Sequence, residues 1–437
     1  MKARFFLLAA VVALAAALIL IQTKPQPRPA PASSADSQLL IISEPLPGDD
    51  WIDQQIRRIQ QGVRKGIAEP ERVYELGCLF LKKARLSHDP GFYTLAEQTA
   101  LWLQGVEPEF LDARLLEGHV RLAQHRFKQA ESVARSLTTQ RETMLDYALL
   151  GDALLDQGRL QEAVAAYQKM IDFKPCLPSY CRVAQVRWLT GDRDGAEEML
   201  RQAINTGSAR DPEPLAWATT RLAVLDLERH QLEDATHSAG RALELVPEYA
   251  PALFAQGRVA IARDDTSGAV TVLERAAHRQ PLPEYQWLLA DALRLAQQRE
   301  RATEVETALA RQGRTLDRRT FALYLATRGD QLETALTLAW EELGERQDVF
   351  THDAVAWCAF RTGDLETAKR HASAALREGT RDARLALHAG LIFNATGDGV
   401  RGQELLSAAR DMAATLFPSE RTLIPESVVG LTKTNNP

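Results

Sequence analysis

At 437 residues the chain has room for about two or three domains of ordinary size or for one long array. Its apolar fraction of 45% and charged fraction of 25% are those of a folded chain, which excludes a disordered or low-complexity polymer. The net charge of −6 excludes a broad basic face, so no nucleic-acid partner is expected.

In chain order, Lys2 and Arg4 precede an unbroken apolar run from Phe5 to Ile21. That length and those flanks predict a signal anchor or signal peptide over residues 1–22. No lipobox cysteine follows. Residues 23–50 read as a linker stiffened by Pro25, Pro27, Pro29, Pro31, Pro45 and Pro47. Residues 51–70 read as an N-terminal capping helix, with Trp51, Ile52, Ile56, Ile59 and Val63 on one face.

A small residue then recurs at a near-constant interval: Ala96, Ala130, Ala163, Ala196, Ala235, Ala269, Ala302, Ala335, Ala368 and Gly402. The intervals are 33 or 34 residues except for the 39 between Ala196 and Ala235. A fixed period of this size marks a solenoid built from one supersecondary unit. The segment from Tyr147 to Pro175 shows the unit most fully. Tyr147, Leu150, Leu154 and Leu155 follow helical spacing, and Gly158 breaks it. Leu160, Ala163, Val164, Tyr167, Met170 and Ile171 restart the pattern and Pro175 ends it. Each unit is therefore two amphipathic helices joined by a short turn. Gly151 and Ala163 are small so that the helix axes can approach. The first unit carries about seven extra residues around Ser87 to Gly91, and Asn205 to Pro214 reads as a loop insertion in mid-array. The array covers residues 71–412. A tail of 413–437 follows, broken by Pro418 and Pro425, with two outcomes open: folding along the last repeat, or disorder.

Leu150-Gly151, Leu154, Ala163, Tyr167 and Pro175, with Gly257, Ala269, Leu273, Ala276 and Pro281 in another unit, resemble the tetratricopeptide repeat (TPR) family. The blocks KARLSHDPGFYTLAEQ, SYCRVAQVRWLTGD and LREGTRDARLALHAG are similar to bacterial membrane-tethered or exported TPR proteins. The resemblance implies an all-α, right-handed α-solenoid of about ten helix pairs. It also implies that the first helix of each pair lines the inner, concave face. With the N-terminal segment, it gives an expected placement as a single-pass inner-membrane protein, array facing the periplasm or cell exterior, or as a protein secreted after signal cleavage.

On that register the inner face carries Arg182, Trp188, Trp217, Arg221, Phe254, Arg258, Trp287, Asp291, Tyr324, Trp357 and Arg361. Aromatics and arginine are the residues that dominate binding hot spots, so this set is the candidate partner-binding groove. The alternative is that the rings fill gaps between helices. TPR domains that clamp a C-terminal carboxylate use lysine and asparagine there. Cys181, Gln185, Thr220, Val224, Phe254 and Arg258 occupy those places, which leaves an extended peptide or an anionic segment as ligand.

Cys176 and Cys181 are a candidate disulfide, whereas Cys78 and Cys358 read as small buried hydrophobes. His352-Asp353 reads as a helix start with the aspartate as its cap. No nucleophile elbow, zinc-helix motif or phosphate loop is present, so no catalytic residue, cofactor or metal site is expected. The functional expectation is a non-enzymatic scaffold at the cell envelope that binds a protein or peptide partner in its groove, with membrane contact through the N-terminal segment only. An extracytoplasmic ligand- or glycan-binding module is the alternative, and an enzyme with a novel site the third.

Overall fold

The computed structural model of the chain describes residues 34–426. Two helices come first, α1 (Ser34–Ser43) and α2 (Trp51–Arg64). Ten helix pairs follow. They are α3 (Pro70–Ser87) with α4 (Gly91–Val106), α5 (Leu111–Ala123) with α6 (Phe127–Gln140), and α7 (Met144–Asp156) with α8 (Leu160–Phe173). Next are α9 (Leu177–Leu189) with α10 (Arg193–Thr206), α11 (Pro212–Glu228) with α12 (Leu232–Leu245), and α13 (Ala250–Ala262) with α14 (Thr266–Arg279). The last four are α15 (Pro283–Leu295) with α16 (Arg299–Leu316), α17 (Arg318–Arg328) with α18 (Leu332–Glu345), α19 (Val349–Thr362) with α20 (Leu365–Ala375), and α21 (Ala383–Ala395) with α22 (Gly399–Asp411). A 3-10 turn (Ala413–Thr415) and a short α23 (Pro418–Arg421) close the described chain. No strand forms among the described residues.

The turn inside eight of the ten pairs repeats one device. His125, Gly158, Gly191, His230, Asp264, Gln297, Gly363 and Gly397 all have φ between 58° and 89°, two residues before the second helix. The next N–H then reaches back into the first helix, as Arg159 N does to the Leu154 carbonyl at 3.0 Å and Asp192 N to that of Arg187 at 2.8 Å. This Schellman-type closure satisfies carbonyls that the helix end leaves open. Asp192 and Asp265 then cap the second helix by accepting from Gly195 N and Gly268 N, both at 2.9 Å.

Pairs pack against their sequence neighbours, so the core is a chain of adjoining clusters rather than one centre. The recurring small residues sit where the helices touch. Ala163, Ala196, Ala235, Ala269, Ala302, Ala335 and Ala368 are all buried. A side chain on Gly151 would collide with the Tyr167 ring.

The superhelix also touches itself across a turn. Lys82 pairs with Asp211, and Gln280 Nε2 donates to the carbonyls of Arg85 and Leu86 at 3.2 and 3.3 Å. Arg346 pairs with Asp156 at 2.6 Å, and Thr380 Oγ1 donates to the Leu189 carbonyl at 2.6 Å. Two glycines make this contact possible. Gly158 and Gly191 have φ of 71° and 79°, and any side chain there would strike the carbonyls of Gln347 and Gly379. Backbone therefore meets backbone between turns.

Several expectations need correction. The linker of 23–50 is helical from Ser34 to Ser43, and Ile42 is buried against α2 and its neighbours. Four apolar residues in a row, Leu39 to Ile42, outweigh the flanking prolines. Trp51 is 44% exposed, with the Lys82 ammonium 4.7 Å from its ring centroid; the buried face of α2 is Ile52, Ile56, Ile59 and Val63. The extra residues of the first unit lengthen α3 and α4, and those near 205–214 lengthen α11, leaving short connections. No helix among the described residues is long and apolar enough to cross a membrane, and the expected single-pass inner-membrane placement, with its anchor, is not supported. The apolar run that prompted it, residues 5–21, lies outside the described residues.

Ala163→Leu should destabilise the array by about 1–3 kcal/mol, because a larger side chain must force a close helix crossing apart. Val164→Leu is the control: Val164 is 36% exposed, and its change should stay within about 0.5 kcal/mol. Urea unfolding of the two variants measures the difference, and equal midpoints would mean that the helix register is wrong.

Candidate functional site: the inner groove

The first helices of the pairs bring the candidate groove residues to one side, where they separate into three groups. The first group lines open space. Arg182 on α9 is held by Asp152, its Nε 2.7 Å from Oδ1, and Tyr167 donates to the same carboxylate at 2.8 Å. Trp188 donates from Nε1 to Glu228 at 2.9 Å, and its ring stacks on Phe350 of the next turn at 5.8 Å. The Arg221 guanidinium lies 5.6 Å from the Trp188 centroid and 3.4 Å from Gln185 Oε1. Trp217, one helical turn before it, is 38% exposed.

The second group holds the C-terminal segment. Leu416 and Phe417 are buried. The Phe417 ring meets Trp287 edge-on at 5.0 Å and Phe254 at 6.3 Å. Trp287 Nε1 donates to Ser419 Oγ at 2.9 Å. Asp291 Oδ2 accepts from Ser419 N at 2.9 Å and from Ser419 Oγ at 2.6 Å. Arg258 Nη2 donates to the Thr415 carbonyl at 3.1 Å. Glu420, fully buried, pairs with Arg384, whose guanidinium also lies 5.1 Å from the Phe417 ring centroid.

The third group packs between helices. Tyr324 is buried 5.7 Å from Trp287, and Trp357 is buried with its Nε1 donating to Thr327 at 3.1 Å. Arg361 Nη1 donates to the Thr327 carbonyl at 3.2 Å. Phe254, Trp287, Asp291, Tyr324 and Trp357 are therefore buried and not free for a partner, which corrects their placement on an open surface. The cause is the same for all: a tight superhelix turns its inner face into interior.

The tail was a segment whose order the sequence left open, and its sites on Asp291, Trp287 and Arg384 were missed. Arg384 lacked any signal, because its role depends on a segment that returns from the chain end. The buried pair of His388 Nδ1 with Asp353 at 2.9 Å was also missed. Asp353 is not a cap; Asp348 caps α19, accepting from Phe350 N and Thr351 N at 2.9 Å. The 35-residue interval between Asp353 and His388, one repeat, was the available clue.

The candidate disulfide is not formed, since Cys176 and Cys181 are both free. Cys176 precedes α9 with its Sγ 3.8 Å from Met144 Sδ, while Cys181 is buried beside Leu177, Ala203 and Ala218. The helix start sends the two thiols in different directions. Cys358 is buried as expected, but Cys78 is exposed.

A cavity of about 600 Å³ opens between the groups. Arg193, Arg221, Arg258, Arg381 and Arg384 face it, with Glu228, Glu284, Asp382 and Glu420. Burial holds Arg221 below the usual guanidinium range and pushes Glu228 above the usual carboxylate range. Burial likewise raises Asp291 to about 6, against the lowering effect of its bonds from Ser419. No cluster of metal-ligating side chains occurs among the described residues.

A profile described as tetratricopeptide repeat matches residues 115–176 and 220–281. No curated protein matches the chain. Among solved structures, a thermophilic TPR protein of Thermus thermophilus, TTC0263, is similar at 21% identity over 42% of this chain and 99% of its own, with a TM-score of 0.36. The human IFIT1 dimer with PPP-AAAA is similar at 13% identity over 87% and 94%, with a TM-score of 0.46. Yeast Tom70 is similar at 11% identity over 86% and 92%, with a TM-score of 0.38.

Asp291 gives a pH prediction with a defined sign. Its pKa is raised in the folded chain, so its contribution to stability is fully present below the ordinary carboxylate pKa and is lost as pH rises through about 6. Both donors from Ser419 reach the same oxygen, so the amide oxygen of Asp291→Asn can accept both. The urea midpoint of Asp291→Asn should match wild type below pH 4, exceed it increasingly as pH rises towards 6, and keep a constant lead above that. A difference that is flat across this range would contradict the buried, ionising carboxylate.

Proposed function

We propose that this chain, which carries tetratricopeptide repeats, is a non-enzymatic interaction scaffold that takes a segment of a protein or peptide partner along the inner face of its superhelix. The observation that carries this reading is the chain's own segment from Thr415 to Glu420. It lies on that face by the means a peptide ligand uses: a backbone carbonyl on Arg258, an aromatic anchor among Phe254 and Trp287, and a carboxylate on Arg384. The face is thus chemically suited to peptide. Beside the docked segment, Trp188, Trp217 and Arg221 line a continuous pocket with Gln185 and Val224. A partner segment in this reading runs along that wall. Trp217 supplies exposed apolar area on a rigid helix, and Arg221 supplies a planar donor already placed beside Trp188.

Replacing Trp217 with a photo-crosslinking residue should link the partner, whereas the same residue at Trp340, 41% exposed on second helix α18, should not. Crosslinking from position 340 alone would move the site off the inner face.

Trp217→Ala should weaken partner binding by about 2 kcal/mol with little change in melting temperature. Trp287→Ala should instead cost about 3–5 kcal/mol of stability, because Trp287 is fully buried. Titration of the partner and urea unfolding separate the two effects. A Trp217→Ala protein that unfolds like Trp287→Ala would make Trp217 a packing residue.

A further inference from the structure

The charges around the internal cavity do not balance. Arg384 is taken by Glu420, and Arg193 by Glu228 with its Nε 3.7 Å from the carboxylate. Three guanidiniums then remain, Arg221, Arg258 and Arg381, against two carboxylates, Glu284 and Asp382. No ion pair joins any of these five among the described residues. The contacts of Arg221 are neutral: Gln185 Oε1 at 3.4 Å and the Trp188 ring. Arg258 spends one nitrogen on the Thr415 carbonyl, and its buried Nε has no hydrogen-bond acceptor.

A partly buried guanidinium that makes no ion pair is costly to desolvate, and two on neighbouring first helices repel each other as well. Burial has the largest effect on Arg221; the Glu228 carboxylate favours its charge, Arg258 opposes it and Glu284 favours it again, so the carboxylates act only at a distance. Trp188 is itself fixed by its bond to Glu228 and by the Phe350 ring, so it holds one flank of Arg221 in place. Two forked donors with unused nitrogens, facing the same cavity, match a single oxyanion. The surplus of one positive charge matches a monoanion. Glu420 on Arg384 shows the same cavity already accepting a side-chain carboxylate from a peptide.

We infer that Arg221 and Arg258 form a receptor for one carboxylate side chain, so that the partner segment presents an aspartate or glutamate to this cavity. The inference rests on the reading of the groove as a peptide site and adds the chemistry of the bound segment.

The test uses the full chain and three probes at constant ionic strength: Ac-Gly-Glu-Gly-NH2, its neutral isostere Ac-Gly-Gln-Gly-NH2, and inorganic phosphate. The glutamate peptide should raise the thermal midpoint and the glutamine peptide should not. The rise should disappear in Arg221→Met and in Arg258→Met. It should persist when Arg241, an exposed arginine paired with Glu244, is changed to methionine. Without any probe, Arg221→Met should melt above wild type, because it removes a partly buried charge that makes no ion pair, so the variant is expected to fold.

Equal effects of the two peptides, a glutamate effect that survives Arg221→Met, or a ligand-free Arg221→Met that melts below wild type would each overturn the inference. A rise with phosphate alone, lost in Arg221→Met, would replace it with a free-anion site. Crosslinking from position 217 separates the two levels of the reading. Crosslinking that persists unchanged in Arg221→Met keeps the groove and removes the carboxylate receptor. A glutamate effect without any crosslinked partner removes the partner reading and leaves a small-carboxylate site.

Discussion

Contact between one superhelical turn and the next is the constraint on which the rest of the molecule depends. Gly158 and Gly191 bring backbone against backbone there, and Lys82–Asp211, Arg346–Asp156 and Thr380–Leu189 lock the approach. A more open solenoid of the same helices would expose its inner face to water. Here that face becomes a wall, and groups on it are judged by interior rules.

Those rules explain the pairing seen along the first helices. Arg182 meets Asp152, His388 meets Asp353, and the Trp188 and Trp357 ring nitrogens each find an oxygen. Each of these links two neighbouring helices or more distant ones. The polar groups of the inner face therefore serve the stacking of the repeats as well as any ligand. Arg221 and Arg258 stand apart because, among the described residues, no carboxylate forms an ion pair with either.

The C-terminal segment is the second consequence of closure. It finds a cleft already walled by Phe254, Trp287 and Asp291, and it fills the space with one aromatic ring and one carboxylate. The cleft is narrowed to a cavity by the chain itself. What remains open is the wall of Trp188, Trp217 and Arg221.

The helical array was legible in the sequence because its cause is local and repeated. A small residue at each crossing, such as Ala163 or Ala269, and a turn residue at each hairpin, such as Gly158 or Gly397, recur at the period of the unit. The inner-face positions were legible for the same reason, since helical spacing assigns a side. Which of those positions lie open was not legible. Trp217 and Trp287 occupy comparable places on first helices, yet one is partly exposed and the other is covered by Phe417 and Ser419. That difference arises from contacts between residues 130 and 132 apart, between the C-terminal segment and the seventh pair. Period and composition carry no record of such contacts. The sequence by itself determined the unit, its count and its register; closure of the superhelix and return of the tail were decided only in three dimensions, where the small rotation added by each pair accumulates until distant surfaces meet.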